Sequence, residues 1–139
     1  MSAGGFLLDT NILSETKRRK PHPGVEEWFL RHASQNLYVS VLSIGEIRSG
    51  ALRLNEAART RILLNWLDEE IVAGFAERVL NVTIETVEVW ARINYDDQGS
   101  LPAIDSLIAA TAITHNLTLV SRDADMQRIR GLRLINPWL

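Results

Sequence analysis

Short apolar runs alternate with longer stretches in which apolar residues recur every three or four positions. Phe6-Leu7-Leu8, Leu37 to Val41, Val79 to Val82, Leu117 to Val120 and Leu132 to Ile135 are brief and rich in β-forming residues, so each is predicted to be a strand. Helices are predicted between them. One opens at Asp9-Thr10-Asn11, residues suited to capping a helix start. A second runs from Pro23 to about Ala33, with Val25, Trp28 and Phe29 on its apolar face. A third, with Ser43 as its cap, turns Ile44, Ile47, Ala51 and Leu54 to the core, and Gly50 within it suggests a close backbone approach. Residues 56 to 74 carry a stripe of Ile62, Leu63, Trp66, Leu67 and Ile71, and residues 84 to 97 one of Val87, Trp90, Ala91 and Tyr95, both expected to face inward. A short helix is placed around 125 to 130, a loop at 17 to 23 and a turn at 98 to 100. The alternation of strand and helix predicts an α/β fold with a parallel sheet. With no repeat, low-complexity stretch or long linker, residues 1–139 are expected to form one domain.

The helix from about Ala103 to His115 is apolar nearly all round, through Ala103, Ile104, Leu107, Ile108, Ala109, Ala110, Ala112 and Ile113, and is expected to be buried. Asp105 stands among these residues. A buried aspartate must be paired, capping, protonated or bound to a cation, because leaving it charged and unpaired is costly. As a first-turn acid it can also simply favour the helix dipole.

Asp105 is one of four acids, with Asp9, Glu46 and Asp123, that fall at a strand end or in the first turn of a predicted helix. In an open parallel sheet those positions share one edge, where ligands bind. Carboxylates gathered there repel one another and stay ionised together only if a cation neutralises them. An oxygen-only donor set suits Mg²⁺ or Mn²⁺ better than zinc. Each acid also has a plainer local reading. Glu46 can serve the helix dipole, and Asp123 or Asp125 can cap the short helix that follows.

Composition narrows the chemistry. The chain has 139 residues, 46% hydrophobic and 23% charged, with no cysteine, so disulfides and thiolate metal sites are excluded. His22, His32 and His115 lack the paired spacing of a zinc site. No apolar stretch approaches the roughly 18 residues of a membrane span, and there is no charged-then-apolar secretion signal, so a cytoplasmic location is expected. A net charge of −2 argues against strong nucleic-acid binding by charge alone. All the basic residues but two are arginine, and the two lysines sit in the run Lys17-Arg18-Arg19-Lys20, which also reads as a solvated loop.

Leu8-Asp9-Thr10-Asn11, Ser43 to Glu46, Asp105-Ser106-Leu107-Ile108-Ala109-Ala110 and Ser121-Arg122-Asp123, in that order and at these separations, resemble the PIN-domain ribonucleases. More narrowly, the chain is similar to the VapC toxins of bacterial toxin–antitoxin pairs. The closing Asn136-Pro137-Trp138 and the overall length resemble the FitB branch, and only the first few residues form an extra lead. The resemblance implies a parallel sheet of about five strands flanked by helices, and an Mg²⁺-dependent endoribonuclease in which Mn²⁺ can substitute. Asp9, Glu46, Asp105 and Asp123 would then be the catalytic and metal-binding acids. Thr10, Asn11 and Ser121 would orient them or the scissile phosphate, with Arg122 and Asp125 beside them at the substrate. The resemblance also implies a homodimer, a VapB- or FitA-like antitoxin that occupies the active groove and alone contacts operator DNA, and an RNA substrate, often transfer RNA. One departure is Met126, where relatives often carry an aromatic residue, and it leaves the fourth ligand open between Asp123 and Asp125.

Other readings need different residues. A phosphatase or receiver-like fold also places acids at strand ends but needs a lysine at the phosphoryl group, and the lysines lie only in the 17 to 20 loop. The phosphatase would also need a second acid where Asn11 stands. A noncatalytic interaction module on the same fold would be marked by a broken set of acids, and here the set is intact.

Overall fold

The computed structural model describes residues 4–139; the lead residues 1–3 lie outside the described part. Five short strands, β1 (Phe6–Leu8), β2 (Leu37–Ser40), β3 (Val79–Leu80), β4 (Thr118–Val120) and β5 (Leu134–Ile135), form one sheet in the order β3-β2-β1-β4-β5. Every neighbouring pair is parallel, with Leu7 opposite both Tyr38 and Leu119 and Leu8 opposite Val120. Seven α-helices connect them: α1 (Thr10–Thr16), α2 (Pro23–Arg31), α3 (Val41–Leu52), α4 (Ala57–Trp66), α5 (Ala73–Phe75), α6 (Ile84–Asp97) and α7 (Ala103–Thr114). The expected α/β domain with a five-stranded parallel sheet is what the chain forms. From β1 the chain steps outward through β2 and β3, then crosses back to place β4 on the other side of β1. The strand order therefore reverses between β1 and β4, and a crevice opens at the carboxyl ends of those two strands.

Both faces of the sheet are covered, which is why its strands read as unbroken apolar runs rather than alternating ones. Leu7 and Leu119 point into a core shared with Ile93 of α6, Ile108, Ala109 and Ala112 of α7, and Met126. Leu8 and Val120, one residue on, point into a second core with Ile12, Val25, Trp28, Ile47, Leu67 and Ile71. No helix among the described residues is long and apolar enough to cross a membrane.

Several local expectations are corrected. The α3 cap is Ser40, whose hydroxyl accepts from the Leu42 N–H; Ser43 is fully buried inside the helix. The helix expected over 56 to 74 starts as predicted, capped by Glu56, but passes into a π-helical segment at Leu67–Val72. Ile62 is exposed, whereas Leu67 and Ile71 are buried. On α6 the stripe of Val87, Ala91 and Tyr95 faces solvent; Thr86 and Ile93 are the buried residues, with Trp90 partly buried. Burial of α7 begins only after Ala103 and Ile104, which remain exposed. A Cβ on Gly50 would meet nothing within 4 Å, so no close backbone approach explains that glycine.

Candidate active site at the carboxyl edge of the sheet

Asp9 directly follows β1 and caps α1, and its carboxylate oxygens are claimed from two sides. One accepts the Thr10 N–H at 2.8 Å, the other the Ser121 hydroxyl at 2.7 Å. Ser121 directly follows β4, so this bond ties the ends of the two strands that flank the crevice. The Ser121 oxygen also accepts from the Asn11 amide and from the Asp123 N–H, both at 3.0 Å. One buried hydroxyl thus sets the positions of Asp9, Asn11 and Asp123. The Asn11 carbonyl in turn receives the Arg122 N–H at 3.4 Å.

Glu46 comes from α3, where the Thr10 hydroxyl donates to it at 2.6 Å and lies 2.9 Å from Ser43 Oγ. Asp105 projects from the first turn of α7, a helix fixed by the Trp90 indole N–H donating to Ser106 Oγ at 3.0 Å. Asp123 caps the 3₁₀ turn Ala124–Arg128, accepting the Asp125 N–H, and fully buried Met126 anchors that turn from beneath. Asp9, Thr10, Asn11, Glu46, Asp105, Arg122 and Asp123 line one open cleft. Asp125 is exposed outside it, 3.9 Å from Arg128, so of the two acids left open by the sequence the cleft takes Asp123.

The acids of the cleft sense one another. Burial is the main cause that raises the Asp9 carboxyl above its ordinary range; the Ser121 and Thr10 hydrogen bonds oppose it, and the charges of Glu46 and Asp123 add to it. Asp105 is pushed up to about 6, first by desolvation and then by the charges of Asp9, Asp123 and Glu46. Two carboxylates are thus unfavourable as anions without a counter-charge.

A family model of the PIN domain matches residues 6–132. The chain belongs to the PIN-domain family. Among relatives of this PIN-domain protein, the VapC ribonuclease Y4jK of Sinorhizobium fredii is 31% identical over 136 residues, 96% of this chain and 97% of that protein. The toxin FitB of Neisseria gonorrhoeae is 30% identical over 136 residues, 96% of this chain and 98% of the toxin. The crystal structure of FitAcB from Neisseria gonorrhoeae matches with a TM-score of 0.87 at 30% identity, covering 96% of this chain and 98% of that one. The protein therefore sits in the VapC and FitB group of toxin–antitoxin PIN domains.

The charged atoms lining the cleft that could ligate a cation are carboxylate oxygens, with no histidine or sulfur beside them, a donor set that suits Mg²⁺ better than zinc. Among the described residues no three acids or histidines converge tightly enough to complete a cation's shell by themselves. Sequence reasoning missed the part played by Ser43, read as a cap, and by Trp90 and Ser106, which fix the helix carrying Asp105. Only the polarity of Ser43 and Ser106 on otherwise apolar helix faces could have signalled them.

Proposed function

We propose that this PIN-domain protein is an Mg²⁺-dependent endoribonuclease, with Mn²⁺ able to substitute, and the toxin half of a toxin–antitoxin pair. The observation that carries this is the convergence of Asp9, Glu46, Asp105 and Asp123, from four separate elements, on one open cleft. When bound, the cation would offset charge on the phosphate and make water acidic enough to act as nucleophile. In this reading Asp9 and Asp123, held by the Ser121 hub, and Glu46, held by Thr10, would hold the cation either directly or through its waters. Asp105, whose carboxyl burial and the neighbouring acids push up to about 6 without a cation, completes the acidic set, and a bound cation would favour its ionised form. Water attacking phosphorus with the 3′ oxygen as leaving group would form a 5′-phosphate and free a 3′-hydroxyl, and structured RNA such as transfer RNA is the proposed substrate.

A groove between α1, α3 and α4, lined by Thr10, Ser14, Ile47, Gly50, Leu63 and Trp66, opens onto Glu46. We assign it to a VapB- or FitA-like antitoxin, since a segment seated there would also cover the acids; operator DNA is contacted through that antitoxin. Trp28 of α2 belongs to the core and takes no part in this groove. The outward α6 stripe of Ile84, Val87, Ala91 and Tyr95 supports a homodimer.

The test uses the purified chain and its Asp9→Asn variant on total cellular RNA with Mg²⁺, Mn²⁺ or EDTA. Cation-dependent cutting that Asp9→Asn abolishes is expected. A folded, cation-loaded protein that leaves all RNA intact would instead be a noncatalytic interaction module for the antitoxin.

A further inference from the structure

Arg122 lines the cleft beside Asp9, Asp105 and Asp123, yet among the described residues its guanidinium makes no ion pair and no hydrogen bond. It lies instead over the Trp138 ring, 5.2 Å from the centroid. A cation next to four carboxylates gains most by folding onto one of them. Stacking on the indole holds it off the acids while its N–H fork stays open to a second anion. The tail is built to deliver that ring. Asn136 accepts the Trp138 N–H at 3.0 Å, and Pro137 O sits where a Cβ on Gly24 would come within 2.3 Å, so only glycine lets the tail close over the start of α2.

The same flank carries the basic loop. Glu15, almost fully buried, accepts the His22 N–H at 2.7 Å and lies 3.4 Å from Arg18. Its carboxyl is held below its ordinary range by that His22 bond foremost, with the charges of both Arg18 and Arg122 contributing. Glu15 therefore ties the 17 to 22 loop to α1, where Lys17 and Arg18 border Thr10 and Glu46, within reach of the Arg122 charge. Beyond it, Arg19 and Lys20 are exposed and have no partner among the described residues. Lys17 covers the Trp66 ring at 5.9 Å.

We propose that Arg122 and the Arg18–Lys20 loop form one phosphate-binding edge that seats an RNA strand alongside the acid cleft, with Trp138 a positioning residue for Arg122. The assignment rests on the nuclease reading above. It commits to the RNA backbone rather than its bases, because the groups offered are cations and the Trp138 and Trp66 rings each already carry one of them over a face.

The experiment measures anisotropy of a fluorescein-labelled oligouridylate bound to the Asp9→Asn protein in Mg²⁺ buffer across a salt series. Each lost phosphate contact on a single strand should reduce the magnitude of the slope of log affinity against log salt by about 0.7. Arg122→Ala should therefore lower it by about 0.7, and the double Arg19→Ala, Lys20→Ala variant by about 1.4. Trp138→Ala should match Arg122→Ala and add nothing in combination with it, while Trp138→Phe keeps the slope. Arg122 is exposed, so its variant carries the test even if Trp138→Ala destabilises the tail. In the cleaving chain these substitutions should raise KM more than they lower kcat. Unchanged slopes in a chain that still cuts RNA would overturn this edge and leave the nuclease standing. Absence of both binding and cutting would overturn the nuclease reading and the edge with it. Unchanged slopes with weakened capture of the copurified antitoxin would give the edge to an acidic segment of that partner and overturn the RNA assignment.

Discussion

At the cleft, individual side chains are placed against their own preference. Asp105 and Asp9 are both driven above the ordinary aspartate range, chiefly by burial, and no basic side chain among the described residues is paired with either. The consequence for stability has a definite sign. Below the unfolded-state value, 3.8, Asp105 is protonated in both states; between there and about 6 the unfolded chain releases its proton while the folded one keeps it. The contribution favouring the folded state is thus present at low pH and is lost as pH rises through about 6, and Asp9 acts in the same direction. Glu15 and Asp97 work the opposite way, their carboxyls being lowered, so their stabilisation is lost only as pH falls below the ordinary carboxylate range. In EDTA, the melting temperature should therefore fall between about pH 5 and pH 7, and Asp105→Asn should flatten that fall. A slope that Asp105→Asn leaves intact would show that the acid is not strained in the folded protein.

Among the elements, those with strong periodicity or a strand-to-acid junction were legible from the residues alone: β1 with Asp9, β4 with Ser121 and Asp123, and α7 with Asp105. At β1 and β4 one junction both ends a strand and places an acid at the cleft, and on α7 the single acid stands out against an apolar helix. The helices misled where polar and apolar residues exchanged their usual places. On α6 buried Thr86 completes a capping box with Thr83, so the inward face is partly polar, while Val87 and Tyr95 form an apolar stripe that was correctly seen but points outward. No spacing rule anticipates the π-helical turn at Leu67–Val72, yet Leu67 and Ile71 within it are buried as the stripe predicts, and only Ile62, earlier on α4, turns out to solvent. The hydrogen-bond hub at Ser121 joins residues over 100 positions apart, so residue spacing alone does not give it, although the resemblance had already assigned Ser121 to orienting the acids. Gly50 on α3 gives a direct test at this scale. With open space around the position, Gly50→Ala should stabilise the isolated chain by about 0.5–1 kcal/mol through helix propensity and a smaller unfolded-state entropy. Because Gly50 also lines the groove assigned to the antitoxin, the same methyl should weaken copurification of that partner, as Leu63→Ala and Trp66→Ala should. A variant that is more stable yet binds the antitoxin undiminished would move the partner to another surface.

The molecule as a whole divides its surfaces by chemistry. The sheet's carboxyl edge is polar and acidic, α1, α3 and α4 border it with a mainly apolar groove, and α6 shows solvent an apolar stripe on its own outward side. Ile84 and Tyr95 are 78% and 79% exposed, far more than scattered surface residues of their size need be, and Val87 and Ala91 lie between them one or two turns apart on the same side of the helix. A second copy of the chain would cover such a stripe isologously, each α6 against its partner. The pairing would be separate from the cleft: Asp105 reaches the cleft from α7, whose Ile108 and Ala112 pack on the sheet, while the α6 stripe points away from that core. Equilibrium sedimentation should accordingly find the wild-type chain dimeric, and Ile84→Glu with Tyr95→Glu should yield a folded monomer, since neither side chain contributes to the core. The substituted protein should keep the carboxyl strain in the cleft, seen as the same fall in melting temperature between about pH 5 and pH 7 as the parent. A substituted chain that stays dimeric would place the second copy elsewhere and leave the α6 stripe to another partner.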